Sequence, residues 1–422
     1  MAGVAPSVSS LLTGRGAAAR NTFDASSLNV QITDTKGAQW SLRMSDSGTV
    51  RPPRIESNAQ RATFLELFLD LVFVFALTRV TQRLVTDFTT EQQTLFIQAS
   101  QTLLLFLALW LIWMTNAYLT SRLDPETSVV VFVVVLTIAG SMVMAVALPL
   151  GFSERAPVFA GAYVTVQIGR VLALLVASRG TPDPENPAAL PRVLIWSGFT
   201  TVLWLAGSVV DELPARGVLW GIALVVDYAS LTLGWPVPRL GRSRFIGRSI
   251  AGEHLAERYQ QFLLIALGES ILTIGIAFSA EPGFTWERTV GFALAMTTTV
   301  QFWRLYFFRA GHVLPLAITS AREPVLLGVA ASFTHLTMIA GILLSGVGYE
   351  LYIDHPLGHA VPVWLFAILG GPWLFLAGRA GFEFQVFSRF SRSWIGVFLP
   401  SVFSPRRCCS GRRWPPAVQP PR

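Results

Sequence analysis

From residue 62 onward the chain alternates long apolar runs with short polar punctuation. Ten runs are long enough for helices, at 62–84, 95–119, 128–150, 156–178, 192–210, 215–234, 259–280, 289–308, 325–347 and 361–380. A helix needs about 20 apolar residues to cross hydrocarbon, and a strand of a membrane barrel only about 10. "GTPDPENP" at 180–187 and "GWPVPRLGRSR" at 234–244 separate runs with residues that stop helices. The pattern predicts an all-α fold, a polytopic transmembrane bundle of about ten helices in the lipid bilayer. Residues 1–60 contain no such run and no continuous h-region of a secretory signal. They read as a disordered cytosolic tail.

Composition agrees with this. The chain is 52% hydrophobic and only 14% charged, against about 25% charged in soluble domains. The net charge of +7 acquires meaning by position. Arg43, Arg51, Arg54 and Arg61 precede the first run; Arg239, Arg242, Arg244 and Arg248 lie between the sixth and seventh; Arg389 and Arg392 follow the tenth. With ten helices all three segments fall on one side, which the positive-inside rule makes cytosolic. This predicts a multi-pass protein of a bacterial inner membrane with a cytosolic N-terminus. No nucleic-acid-binding motif accompanies the basic excess. The only cysteines, Cys408 and Cys409, are adjacent and imply neither a disulfide framework nor a cysteine metal site.

A weak internal repeat appears at an offset of roughly 190–200 residues. "LWLIWMTNAYLTSR" at 109–122 resembles "VQFWRLYFFR" at 300–309, and "LTIAG" at 136–140 resembles "TMIAG" at 337–341. Six helices per half make this a parallel repeat. The organisation read from it is a first transmembrane half at 61–234, a basic cytosolic loop with an amphipathic entry helix at 235–258, and a second half at 259–392. An atypical tail at 393–422 turns from apolar to Arg, Pro, Cys and Trp after Ser404. On this reading the second half is truncated relative to the first; an ordinary basic tail is the alternative.

Charges at bilayer depth cost about 2.5–3.5 kcal/mol each, so they should face inward and have partners. Glu66 and Asp70 are four residues apart and share a helix face. Counting depth along antiparallel helices pairs Glu66 with Arg304 and Asp70 with Arg170. Glu269 and Asp227 belong to the same zone, in the cytosolic half or at mid-depth. Two readings fit these residues: ion pairs that fix helix register, or proton and ion handling by one or more of the acids. In "AGEHLAERYQQF" (251–262), His254, Glu257 and Arg258 fit an entry helix lying on the membrane surface. His355 and His359 flank Pro356 and Gly358, which argues against a helical metal site. No Walker loop, GxGxxG, GxSxG or HExxH motif is present, so neither an enzyme nor a cofactor is expected.

"FLELFLDLVFVFALTRVTQRL" (64–84), "EHLAERYQQFLLIALGESIL" (253–272) and "WRLYFFRAG" (303–311) resemble the bacterial low temperature requirement A (LtrA) family. The resemblance runs from about residue 60 to 400. It implies an integral inner-membrane protein of many helices associated with growth at low temperature, and no established molecular activity. Its pattern maps onto Glu66, Asp70, His254, Glu257, Arg258, Gly268, Glu269, Ser270 and Arg304. The residues themselves favour a secondary transporter coupled to protons or ions, moving a small solute or ion through Glu66, Asp70, Glu269 and Asp227. The alternative is a non-transport cold-adaptation factor acting through the His254–Arg258 surface.

Overall fold

The computed structural model describes residues 29–33, 39–43, 62–89, 92–177, 189–242, 252–281, 283–310, 313–320, 324–358 and 361–387. The chain divides at Ala59/Gln60 into two units. In the first, β1 (Asn29–Thr33) pairs antiparallel with β2 (Gln39–Arg43), Val30 opposite Leu42 and Ile32 opposite Trp40. The disordered tail expected for residues 1–60 did not foresee this ladder. Its signal is the period-2 spacing of Val30, Ile32, Trp40 and Leu42.

The second unit is all-α. Its helices are α1 (Phe64–Thr89), α2 (Gln92–Arg122), α3 (Ser128–Ala147), α4 (Ala156–Ala177), α5 (Ala189–Val209), α6 (Leu213–Leu233), α7 (Gly252–Ser279), α8 (Trp286–Leu305), α9 (Leu314–Ser320), α10 (Pro324–Asp354) and α11 (Pro362–Phe387). Each of the ten expected runs corresponds to one long helix. The eleventh, α9, has 7 residues and is too short to span. Eight helices are long and apolar enough to cross a membrane; α1 and α8 are not, by composition. In α1 the reason is charge, since Glu66, Asp70, Arg79, Arg83 and Asp87 all lie on it. Glu66, Asp70 and Asp87 are buried, and α1 packs among α2, α3, α7 and α10. The large exposed apolar residues, such as Phe68, Leu71, Val202, Ile276 and Leu369, suit a lipid environment. This is the architecture of a multi-pass membrane protein.

The contacts Glu66–His254 and Asp70–Arg258 each span 188 residues, and the helices start at Phe64 and Gly252, also 252 − 64 = 188 apart. Helices α1 and α7 therefore run side by side, in the same direction and without stagger. The end at which they begin is called here the near end. Neighbour relations recur in the two halves: α1 packs on α2 and α3, and α3 on α4; α7 packs on α8 and α10, and α10 on α11. The matched "IAG" glycines fall at corresponding crossings, Gly140 of α3 against Val166 of α4 and Gly341 of α10 against Gly371 and Phe375 of α11.

Several arginines serve helix ends. The last carbonyls of a helix have no intrahelical partner, and the helix dipole favours a cation there. Arg83 donates to Leu148 O (2.9 Å) and Pro149 O (2.8 Å) just past α3. Arg216 reaches Gly207 O (3.0 Å), Val210 O (2.5 Å) and Phe152 O. Arg288 donates to Ala277 O (2.7 Å), and Arg379 to Leu305 O (3.2 Å). In lipid, where water cannot satisfy those carbonyls, the arginines replace it.

The α10–α11 crossing requires glycine. A Cβ on Gly341 would lie 2.4 Å from Phe375 N, and one on Gly348 2.6 Å from Ile368 N. Backbone cannot yield as a flexible side chain can. Gly341→Ala should destabilise the protein by about 1–3 kcal/mol, read as a lower melting temperature in detergent. Gly275→Ala, where nothing lies within 4 Å, should instead be neutral or stabilising by roughly 0.5–1 kcal/mol.

Candidate functional site

The opening of α1 is a capping box. In "TFLE" (63–66), Glu66 N donates to Thr63 Oγ1 (3.3 Å), while Thr63 N donates back to Glu66 Oε2 (2.8 Å). This satisfies orphan donors and aims the Glu66 carboxylate across the start of the helix. There it meets α7 and α2. His254 Nε2 lies 3.2 Å from Glu66 Oε2, and His254 Nδ1 lies 2.9 Å from Ser121 Oγ.

One turn deeper, Arg258 makes a two-pronged contact with Asp70. Its NH1 donates to Oδ2 and its NH2 to Oδ1, both at 2.7 Å. This geometry matches guanidinium to carboxylate better than a single contact does. Trp113 Nε1 adds a third donor to Asp70 Oδ1 at 3.1 Å, and the guanidinium lies 5.9 Å from the Trp113 ring centroid. Glu66 and Arg258 are both 0% exposed, and Asp70 and His254 are 3% exposed. Glu257 is half-buried, accepting from Ala62 N (3.3 Å) and Gln261 Nε2 (3.2 Å). On its outer side Asp70 lines a groove with Gln261 that is otherwise walled by apolar residues including Phe68, Leu71 and Leu264. Solvent therefore screens the ion pair little.

These positions correct the sequence reading. His254 and Arg258 are not on a surface helix, because α7 begins at Gly252, seven residues before the expected 259, and carries them into the bundle. The expected pairs Glu66–Arg304 and Asp70–Arg170 do not form. Helix α8 packs on α7 and α10, and Arg304 is exposed. Helix α4 packs chiefly on α3 and α5, so Arg170 lies away from Asp70. Depth along α1 was legible, but the neighbour at that depth was not.

Arg170 belongs to a second polar chain. Its NH1 donates to Thr115 Oγ1 and its NH2 to Gln167 Oε1 (2.5 Å). Gln167 Nε2 donates to Tyr163 OH (3.1 Å), which donates to Asp227 Oδ2 (2.7 Å). Residues 163, 167 and 170 share one face of α4. Asp227 is thus tied to α4.

Glu269 stands apart from both groups. It lies ~25 Å along α7 from its start, in the far half of the bundle, because the earlier helix start shifts it outward. It is 0% exposed. Thr273 Oγ1 donates to Oε1 at 2.8 Å, and Oε2 has no hydrogen-bond partner. Thr81 of α1 is beside it without closing a bond. No basic side chain among the described residues forms an ion pair with it. Its charged neighbour is Glu350 on α10, which in turn neighbours Asp354. The three carboxylates grade from buried Glu269 through half-buried Glu350 to exposed Asp354 at the far end. The sequence reading missed Glu350 by ending that helix at 347; the signal is "ELYID", two acids at i and i+4.

Comparison with known proteins adds the following. The family model described as Bacterial low temperature requirement A protein (LtrA) matches residues 61–405. An uncharacterized protein of Rhizobium meliloti (strain 1021) is 36% identical over 322 residues, 75% of this chain and 76% of the relative. No solved structure matches significantly.

If Asp70 and Arg258 serve chiefly to fix α1 against α7, Asp70→Asn should destabilise the protein by about 3–5 kcal/mol by leaving a buried cation uncompensated. Asp70→Leu combined with Arg258→Met should be more stable than either single variant. Thermal unfolding in one detergent checks both. A double variant no better than the singles would assign the pair a role other than register.

Proposed function

We propose, for a chain that belongs to the bacterial low temperature requirement A (LtrA) family, the activity of a secondary transporter coupled to protons or ions, with Glu269 as its intramembrane coupling site. The observation that carries this reading is the contrast among the buried acids. Asp70 is held by Arg258 and Trp113, Glu66 by its capping box and His254, and Asp227 by Tyr163. Each of them joins helices. Glu66 Oε1 and Glu269 Oε2 both lack a hydrogen-bond partner, but Arg258 Nε lies 3.8 Å from Glu66 Oε1, whereas no cation among the described residues pairs with Glu269. A carboxylate in that position either carries a proton or accepts a cation.

Glu350, which feels the charges of both Glu269 and Asp354, and Asp354 would continue a graded route from Glu269 to the far end. The parallel halves, meeting at α1 and α7, are the bodies whose relative rocking would expose the site to either side. The arginine-rich near end is taken as cytosolic, in a bacterial inner membrane, so the carboxylate route opens outward. The cargo is a small solute or ion. The alternative, a cold-adaptation factor working through a His254–Arg258 surface, has less to rest on because both side chains are buried.

Purified protein in liposomes with an internal pH dye tests the transporter. Wild type should pass protons under an imposed potential. Glu269→Gln should lose flux at least tenfold, on the order of what removing a positioned proton carrier removes, with its melting temperature little changed. Asp354→Asn should lose less, since that group is exposed. Undiminished flux in Glu269→Gln would reject it as the coupling site.

A further inference from the structure

A proton count around His254 and His335, the two buried histidines among the described residues, gives them different charges. At His335, Nδ1 is 2.7 Å from Ala331 O and Nε2 is 2.7 Å from Tyr306 OH. A carbonyl only accepts, so Nδ1 carries a proton, and Tyr306 supplies the proton for Nε2. Two contacts use two protons, and the ring is neutral.

His254 has the opposite arithmetic. Ser121 Oγ is 2.7 Å from Ala117 O, a contact that uses its single proton. Its 2.9 Å contact with His254 Nδ1 must then be filled from the ring. Glu66 Oε2 already accepts from Thr63 N and from Thr63 Oγ1 (3.0 Å), as a carboxylate oxygen does. The 3.2 Å contact from His254 Nε2 needs a further proton. Three contacts (Ser121–Ala117, Ser121–His254 and His254–Glu66) require three protons. The serine and a neutral imidazole provide two.

We propose that Glu66, His254 and Ser121 form a proton-binding site at the near end of the bundle, occupied by one proton shared between imidazole and carboxylate. Charge balance supports it. Glu66, Asp70 and Arg258 sum to −1, and the bound proton brings the buried set to zero. Without it, two lone pairs face each other across the α1–α7 contact.

Among the described residues the surrounding charged and titratable groups are few. On α1 they are Glu66 and Asp70; on α7, Glu253, Glu257, Arg258 and Tyr259; on α2, Tyr118 and Arg122, the latter beside Ser121. From α10 the group that reaches this end of α7 is His335, its ring stacked 4.6 Å from Tyr259. Tyr306, just past α8, is bonded to that histidine. Helix α9, "LPLAITS", contributes none. The trio is not a nucleophile relay, because the Ser121 proton is committed to its own helix. The inference concerns proton binding alone and holds whether or not Glu269 couples transport.

The test is ¹⁵N NMR of histidine-labelled protein in lipid nanodiscs at about pH 7.5, where a free imidazole is mostly neutral. The His254 and His335 signals are assigned by loss in His254→Gln and His335→Gln. Both ring nitrogens of His254 should be protonated and only one of His335. Glu66→Gln, whose amide can donate to Nε2, should return His254 to the neutral form. A singly protonated His254 in the wild type overturns the proposal. If His254→Gln fails to fold, wild-type stability against pH decides. A proton held in the folded state and released on unfolding makes the melting temperature fall as pH rises from about 6 to 8.5, and a flat profile rejects the site.

Discussion

A guanidinium sealed inside a lipid-embedded bundle needs its counter-charge at contact distance, and for Arg258 that is Asp70 on the neighbouring helix. The contact is two-pronged at 2.7 Å and neither residue is more than 3% exposed. Such a pair tolerates little sliding, because moving α1 by one residue against α7 would separate both bonds. The pair therefore sets the register of the two helices. That register brings Glu66 to His254 one turn nearer the membrane edge and Thr81 beside Glu269 in the far half. It also sets the junction between the two halves, since α1 opens one and α7 the other.

The remaining charges divide by whether a group of opposite character answers them. Arg83, Arg216, Arg288 and Arg379 donate to carbonyls near helix ends. These bonds explain why a protein of hydrocarbon surroundings retains so many arginines without assigning each a function. Arg170 and Asp227 belong to a hydrogen-bonded chain that joins α2, α4 and α6. Among the described residues Glu269 has no cation to answer it. In a low-dielectric interior that difference outweighs any resemblance among the acids as letters in a sequence.

Legibility followed locality. The long helices stand out because apolar runs of bilayer length have one structural solution in lipid. The capping box at Thr63–Glu66 is equally local and was readable as Thr-x-x-Glu, but an acid in an apolar run draws attention to its charge before its cap. The start of α7 was misread because His254, Glu257 and Arg258 suit an amphipathic surface helix as well as a buried one. That single choice placed His254 and Arg258 outside the bundle and Glu269 too near the end at which α7 begins.

The sequence by itself determined the all-α class, the ten long helices and the depth of Glu66 and Asp70 along α1. Those follow from hydrophobic run length and the fixed rise per residue, both properties of one segment at a time. Tertiary structure alone decided that Asp70 meets Arg258 and not Arg170, that Arg304 faces outward, and that Glu269 is left without a cation among the described residues. Pairing depends on which helices become neighbours and on how each is rotated about its axis. Those choices are made by packing between segments 188 residues apart, and no local pattern encodes them.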